Sequence, residues 1–100
     1  MEKRKPHYLL TDVKELIKQR KIISPNIKVI ESANEIGFSE TEAYDVILKL
    51  EPNNCYKSMT EYHNNKVWQD VYKTKIGELP IYIKFQIIGD KFLLRAFKAQ

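Results

Sequence analysis

A single cysteine in 100 residues leaves no partner for an internal disulfide, and no Cys/His cluster has the spacing of a structural zinc site. Cys55 therefore reads as a small, half-buried apolar side chain in a protein suited to a reducing cytoplasm. No apolar run approaches the length of a membrane span. The opening MEKRKPH has none of the apolar core of a signal peptide, so neither a membrane protein nor an exported one is expected. Repeats, linkers and low-complexity tracts are missing, as are a Gly-rich phosphate loop and a nucleophilic triad. What remains is a composition that is 43% hydrophobic and 30% charged. That suits one globular domain over residues 1–100, long enough to bury a core without disulfides or metals.

The net charge of +4 is unevenly placed. Residues 1–28 hold eight Lys or Arg against three acids, residues 29–55 one against six, and residues 56–100 eight against four. A polyanion is thus attracted to the two ends of the chain and repelled by its middle. Solvated helix faces account for part of the same pattern.

The first half of the chain has helical periodicity. Lys3, Arg4 and Lys5, followed by Pro6 and His7, show no period and are expected to lack regular structure, with three cations free to touch phosphate. Asp12 and Glu15 have capping-box spacing for a helix ending near Arg20 or Lys21, with Val13, Leu16 and Ile17 on one face. Ser24-Pro25 suits an N-cap and first helical position, Val29, Ile30, Ala33 and Ile36 form a stripe, and Gly37 is placed to terminate. Ser39 and Glu42 form a second capping box, and Ala43, Val46, Ile47 and Leu50 follow a helical stripe until Pro52.

Beyond Pro52 the period switches to alternation. Tyr56–Tyr72, YKSMTEYHNNKVWQDVY, reads as two strands rich in β-branched and aromatic types around a His63-Asn64-Asn65 turn. Lys57, Glu61, Lys66, Gln69 and Asp70 are interleaved there, giving a surface able to hold a phosphate and stack a base. In Pro80–Ile88, Ile81, Ile83, Phe85 and Ile87 make one apolar face while Tyr82, Lys84 and Gln86 point the other way. Gly89-Asp90 is a turn, and Phe92–Phe97 is the returning strand. Helices first and an antiparallel sheet afterwards give an α+β fold, with N-terminal helices on one face of a C-terminal sheet and Ile83 and Phe85 buried against residues such as Val46 and Ile47. A two-residue loop at Gly89-Asp90 sets Ile81 opposite Lys98, whereas a three-residue loop sets Tyr82 opposite Lys98 but turns Arg95 toward the side of Phe85. A bulge reconciles the two, and Tyr82 and Lys98 are expected on one face.

The runs Met1-Glu2-Lys3-Arg4 with Pro6-His7, Tyr56-Lys57-Ser58-Met59-Thr60 with Tyr62, Trp68-Gln69-Asp70-Val71-Tyr72, and Tyr82 with Lys84 resemble the MqsR family. These are the motility and quorum-sensing regulator toxins of bacterial type II toxin–antitoxin systems, which belong with the RelE-like ribonuclease toxins. The resemblance implies a RelE-like toxin fold and an mRNA endonuclease held in check by a cognate antitoxin with a zinc-bearing N-terminal domain and a DNA-binding C-terminal domain. By matching motif it places the activity on Lys57, Gln69, Tyr82 and, more loosely, Lys98. On the basic, aromatic strands themselves, Lys84, Tyr56, Lys73 and Arg95 are expected as RNA contacts. No cofactor is expected, since no cluster of metal-ligand spacing is present. An antitoxin strand is expected to add to an exposed edge of the sheet.

Those residue types suit the chemistry. Cleaving RNA through its own 2′-hydroxyl needs a base for that proton, an acid for the leaving 5′-oxygen, and cations for the charge on the phosphate oxygens. Tyr82 can act as acid or base, since Lys57, Lys84 or Lys98 beside it would favour its phenolate. Lys57 suits phosphate stabilisation. Gln69 can bind a base edge or a phosphate oxygen, or simply bond within the sheet. Two other chemistries use residues present in the chain: a His7/His63 acid–base pair, and Mg²⁺ held by Glu61 and Asp70. A non-catalytic RNA- or DNA-binding domain is the alternative function.

Overall fold

A computed structural model describes every residue from Met1 to Gln100. In chain order the elements are β1 (Glu2–Lys3), α1 (Leu10–Lys18), α2 (Ile27–Glu35), α3 (Glu40–Leu48), a 3-10 turn at Pro52–Asn54, β2 (Cys55–Glu61), β3 (Asn64–Ile76), β4 (Leu79–Ile88) and β5 (Lys91–Ala99). The five strands form one antiparallel sheet in the order β1-β2-β3-β4-β5, so the expected α+β architecture is observed.

The helix termini follow local chemistry, in part differently from the sequence reading. At α3 the capping box forms: Glu42 N–H donates to Ser39 Oγ at 3.1 Å and Ser39 N–H to Glu42 Oε1 at 2.9 Å. That helix closes at Leu48, before Pro52, because the N–H groups of Lys49 and Leu50 turn back to the carbonyls of Val46 and Ile47. In α2 the cap is Asn26, whose side chain accepts from Lys28 N–H at 2.9 Å, so Ser24 and Pro25 lie ahead of the helix. Gly37, at φ +90°, terminates it as expected, in a conformation that glycine alone adopts without strain. The Asp12–Glu15 box does not form, because α1 already starts at Leu10 and uses Leu9 as an uncapped N-terminus. Leu10, Val13 and Ile17 are all buried, so packing sets this start.

Three two-residue hairpin turns order the sheet. Glu61 pairs with Asn64, which puts the first turn at Tyr62-His63, with Asn64 and Asn65 already in β3. β3 continues well past Tyr72 to Ile76 and turns at Gly77-Glu78 into Leu79. Gly77 and Gly89 both sit at φ +61°, the left-handed conformation that such tight hairpins favour. In the last hairpin Ile88 pairs with Lys91, and a bulge leaves Arg95 as the extra residue between the Phe85–Leu94 and Lys84–Ala96 pairs. That bulge keeps Phe85, Leu94 and Phe97 in the core and still brings Tyr82 opposite Lys98.

The core lies between the helices and one face of the sheet. Ile81, Ile83, Phe85, Phe92, Leu94 and Phe97 from the strands meet Val13, Ile17, Ala33, Ala43, Val46 and Ile47 from the helices. Tyr72 stacks on Phe85 with centroids 5.3 Å apart, and Phe85 in turn packs on Phe92 at 5.3 Å. Tyr72 is fully buried and its hydroxyl has no hydrogen-bond partner.

The N-terminal segment is ordered, contrary to expectation. Glu2 and Lys3 pair with Met59 and Ser58 as the edge strand β1. The anchor is the fully buried Asp70 carboxylate, which accepts from the backbone N–H groups of His7 (2.9 Å) and Tyr8 (3.0 Å) and from the Ser58 hydroxyl. Ser58 Oγ also lies 2.8 Å from the Lys5 carbonyl. At the opposite edge the α1–α2 loop pairs with Phe92: Ile23 N–H donates to its carbonyl at 2.8 Å, and its own N–H donates to Lys21 O at 2.9 Å. No helix is long and apolar enough to cross a membrane.

Candidate functional site

Strand alternation sorts the polar residues onto the sheet face away from the helices. Lys57 of β2, Val71 of β3 and Lys84 of β4 form one row across neighbouring strands. Two residues along each strand, Lys73, Tyr82 and Lys98 form the next row. On the other side of the first row lie Glu2, Met59 and Gln69, with Gln86 bonded to Gln69. The four residues expected to carry activity, Lys57, Gln69, Tyr82 and Lys98, therefore share one face. Lys84 and Lys73 share it too. Val71 is fully covered although it lies outside the hydrophobic core, because the long side chains around it close over it.

Tyr82 is at the centre of the basic row. Lys98 Nζ lies 5.3 Å from its ring centroid, and Lys73 is its cross-strand neighbour on β3. Tyr56 occupies a bulge at the start of β2, half-exposed, with Lys73 Nζ 3.6 Å, Lys57 Nζ 5.6 Å and the Arg4 guanidinium 6.0 Å from its ring. An aromatic face ringed by cations can seat a base and its phosphate together. Of the three N-terminal cations, Arg4 joins this site, while Lys3 sits 4.2 Å above Trp68 and 3.0 Å from His7 Nδ1.

The lysines are electrostatically unlike. Lys57 Nζ is 2.6 Å from Glu2 Oε1, and that hydrogen bond holds its pKa above the usual lysine value. Lys84 is pushed the other way: burial comes first, then the charges of Arg95 and Lys98, and its pKa falls below the usual value. One face thus holds an ammonium favoured in its charged form and another eased toward the neutral amine.

Gln69 is 5% exposed and its Nε2 donates to Glu61 Oε1 at 3.3 Å and Gln86 Oε1 at 3.2 Å. Glu2, Glu61 and Gln86 are partners that the sequence reading did not assign to the site. Gln86 was legible from its alternation with Tyr82 and Lys84. Glu2 was not, because only the strand pairing of a segment without periodicity brings it to Lys57.

Two other constellations do not assemble. Asp70 faces the helix side and is held by backbone N–H groups, while Glu61 bonds Gln69 on the opposite face, so the two carboxylates do not share a metal site. His7 stacks on Trp68 at 5.0 Å and His63 lies at the β2–β3 turn against Tyr62, each with its own aromatic partner.

Comparison with known proteins bears on the family. A family model described as "Motility quorum-sensing regulator, toxin of MqsA" matches residues 5–99. Over 98 residues, 98% of either chain, the sequence is 35% identical to the mRNA interferase toxin MqsR of Escherichia coli strain K12. A match of that extent, on a chain whose Lys57, Gln69, Tyr82 and Lys98 converge on one sheet face, places this protein in the motility quorum-sensing regulator (MqsR) toxin family.

Proposed function

We propose that this chain is the toxin of a type II toxin–antitoxin pair and an endoribonuclease that cuts mRNA through the RNA's own 2′-hydroxyl. The observation that carries the reading is the pair of rows Lys57–Val71–Lys84 and Lys73–Tyr82–Lys98, a tyrosine set among four lysines on an open sheet. A phosphodiester seated there gains positive charge from Lys57 and Lys98 where the transition state gains negative charge. Lys84, eased toward its neutral form, takes the 2′-hydroxyl proton; the oxygen attacks phosphorus, and Tyr82 gives its proton to the departing 5′-oxygen. The products are a 2′,3′-cyclic phosphate and a 5′-hydroxyl, and Lys84 then returns its proton to the Tyr82 phenolate. Gln69 holds the RNA through its side-chain carbonyl, because its amide hydrogens already serve Glu61 and Gln86.

Tyr56 with Lys73 and Arg4, and Arg95 at the other end of the face, extend the track for a single strand. A cognate antitoxin adds its strand along the outer edge of the short β1, since the other edge is occupied at Phe92 by residues 21–23. Incubating purified protein with a defined RNA tests the enzyme reading. Fragments are expected; a mobility shift without cutting would point to a non-catalytic binding domain.

A further inference from the structure

We infer that Gln86, Gln69 and Glu61 form a nucleobase subsite that reads one unstacked base of the single-stranded substrate, an assignment that rests on the ribonuclease reading. This end of the open face presents amides and a carboxylate where the centre presents cations, so it suits a different part of the RNA. Gln86 is 3% and Gln69 5% exposed, an unusual placement for polar side chains unless their hydrogen bonds are organised. They are organised: Gln69 Nε2 donates to both Glu61 Oε1 and Gln86 Oε1, which fixes the orientation of both amides.

That relay leaves Gln69 Oε1 and Gln86 Nε2 without a protein partner, yet neither is sealed from solvent. Gln69 thus offers a free acceptor and Gln86 a free donor from neighbouring strands, the two functions with which a base edge pairs. Gln69 opens onto a depression of about 350 Å³, and Gln86 onto an adjoining one of about 380 Å³. The two share Glu61 and Arg95, and the planar guanidinium of Arg95 offers a stacking surface. The subsite lies two residues of strand, roughly 7 Å, from the Lys57–Lys84 row. That is within reach of a base whose ribose adjoins the bound phosphate.

The test compares kcat/KM over a set of RNAs that differ by one base beside the cut. The wild-type protein should discriminate among them, and Gln86→Leu should reduce that discrimination by about tenfold or more, the scale of one paired base contact. Gln86→Glu, which replaces the donor by an acceptor in the same shape, should change which base is preferred. Binding of the same set with 2′-deoxyribose at the cut position reads the discrimination without chemistry, so the subsite and the nuclease reading fail separately. A uniform loss over every RNA in both variants, with folding intact by circular dichroism, would assign Gln86 a purely structural role and overturn the proposal.

Discussion

The carboxylate of Glu2 lies 2.6 Å from the ammonium of Lys57, across 55 residues of sequence. The contact exists because β1 pairs with β2 and sets Glu2 beside Met59, one row from Lys57. Lys57 has four rotatable side-chain bonds, and this partner keeps it charged and aimed at the open face. Glu2→Ala should lower kcat by roughly three- to tenfold, modest because an exposed pair restrains its lysine only weakly. Glu2→Gln, followed by NMR titration of Lys57, should move the lysine pKa back down toward its ordinary value. The carboxyl of Glu2 is itself held below the usual value by Lys57. The pair is therefore complete above the ordinary carboxylate range and is lost as pH falls through the lowered value. An unchanged Lys57 titration in Glu2→Gln would contradict the pairing.

Lys84 sets a second expectation, for the pH profile. Its folded pKa is lowered by burial and by Arg95 and Lys98, so the neutral amine appears at a lower pH than in an ordinary lysine. Activity should rise with pH along a limb that belongs to this group. Lys84→Arg keeps the charge but cannot give up its proton, so the rate should fall by about 10²-fold or more and the limb should vanish. Retention of the limb in that variant would move the base function to another residue.

The core gives an opposed pair of stability predictions. Phe85 is fully buried between Tyr72 and Phe92, and Phe85→Ala should destabilise the fold by about 3–5 kcal/mol in denaturant unfolding. Tyr72→Phe removes a buried hydroxyl that has no partner, and should leave stability unchanged or raise it by about 1 kcal/mol. A large loss in Tyr72→Phe would mean that the hydroxyl is satisfied in solution.

Asp70 ties the N-terminal segment to the sheet. Asp70→Ala leaves the N–H groups of His7 and Tyr8 without their acceptor and should cost roughly 1–3 kcal/mol. Faster hydrogen exchange should be confined to residues 2–8 and β2, with α3 protected as before. If exchange in that segment does not change, Asp70 is not its anchor.

How far the sequence reached can be read from these residues. Alternation placed Tyr82, Lys84 and Gln86 on one face of β4, and the conflict between loop length and burial already called for the bulge that the structure sets at Arg95. The Ser39–Glu42 box was legible because its whole signal lies within four residues. The Tyr62-His63 turn was displaced by one position from the Asn-rich stretch, because pairing of Glu61 with Asn64 outweighed local turn preference. β1 was not legible at all, since its order depends on a buried carboxylate more than 60 residues away. The roles of Glu2 and Glu61 went unseen for a related reason, as each depends on a partner brought from another strand.

The roles proposed for Lys57, Lys84 and Tyr82 all require the RNA's own 2′-hydroxyl to be the attacking group. The most direct measurement is cleavage, in EDTA, of two otherwise identical RNAs, one of which carries 2′-deoxyribose at the cut position. The all-ribose strand should be cut to a 2′,3′-cyclic phosphate and a 5′-hydroxyl while the 2′-deoxy strand stays intact. Lys57→Ala and Tyr82→Phe should each slow cleavage of the all-ribose strand by at least about 10²-fold with the fold preserved. Full cutting of the 2′-deoxy strand, or cutting only when Mg²⁺ is restored, would contradict the proposed roles.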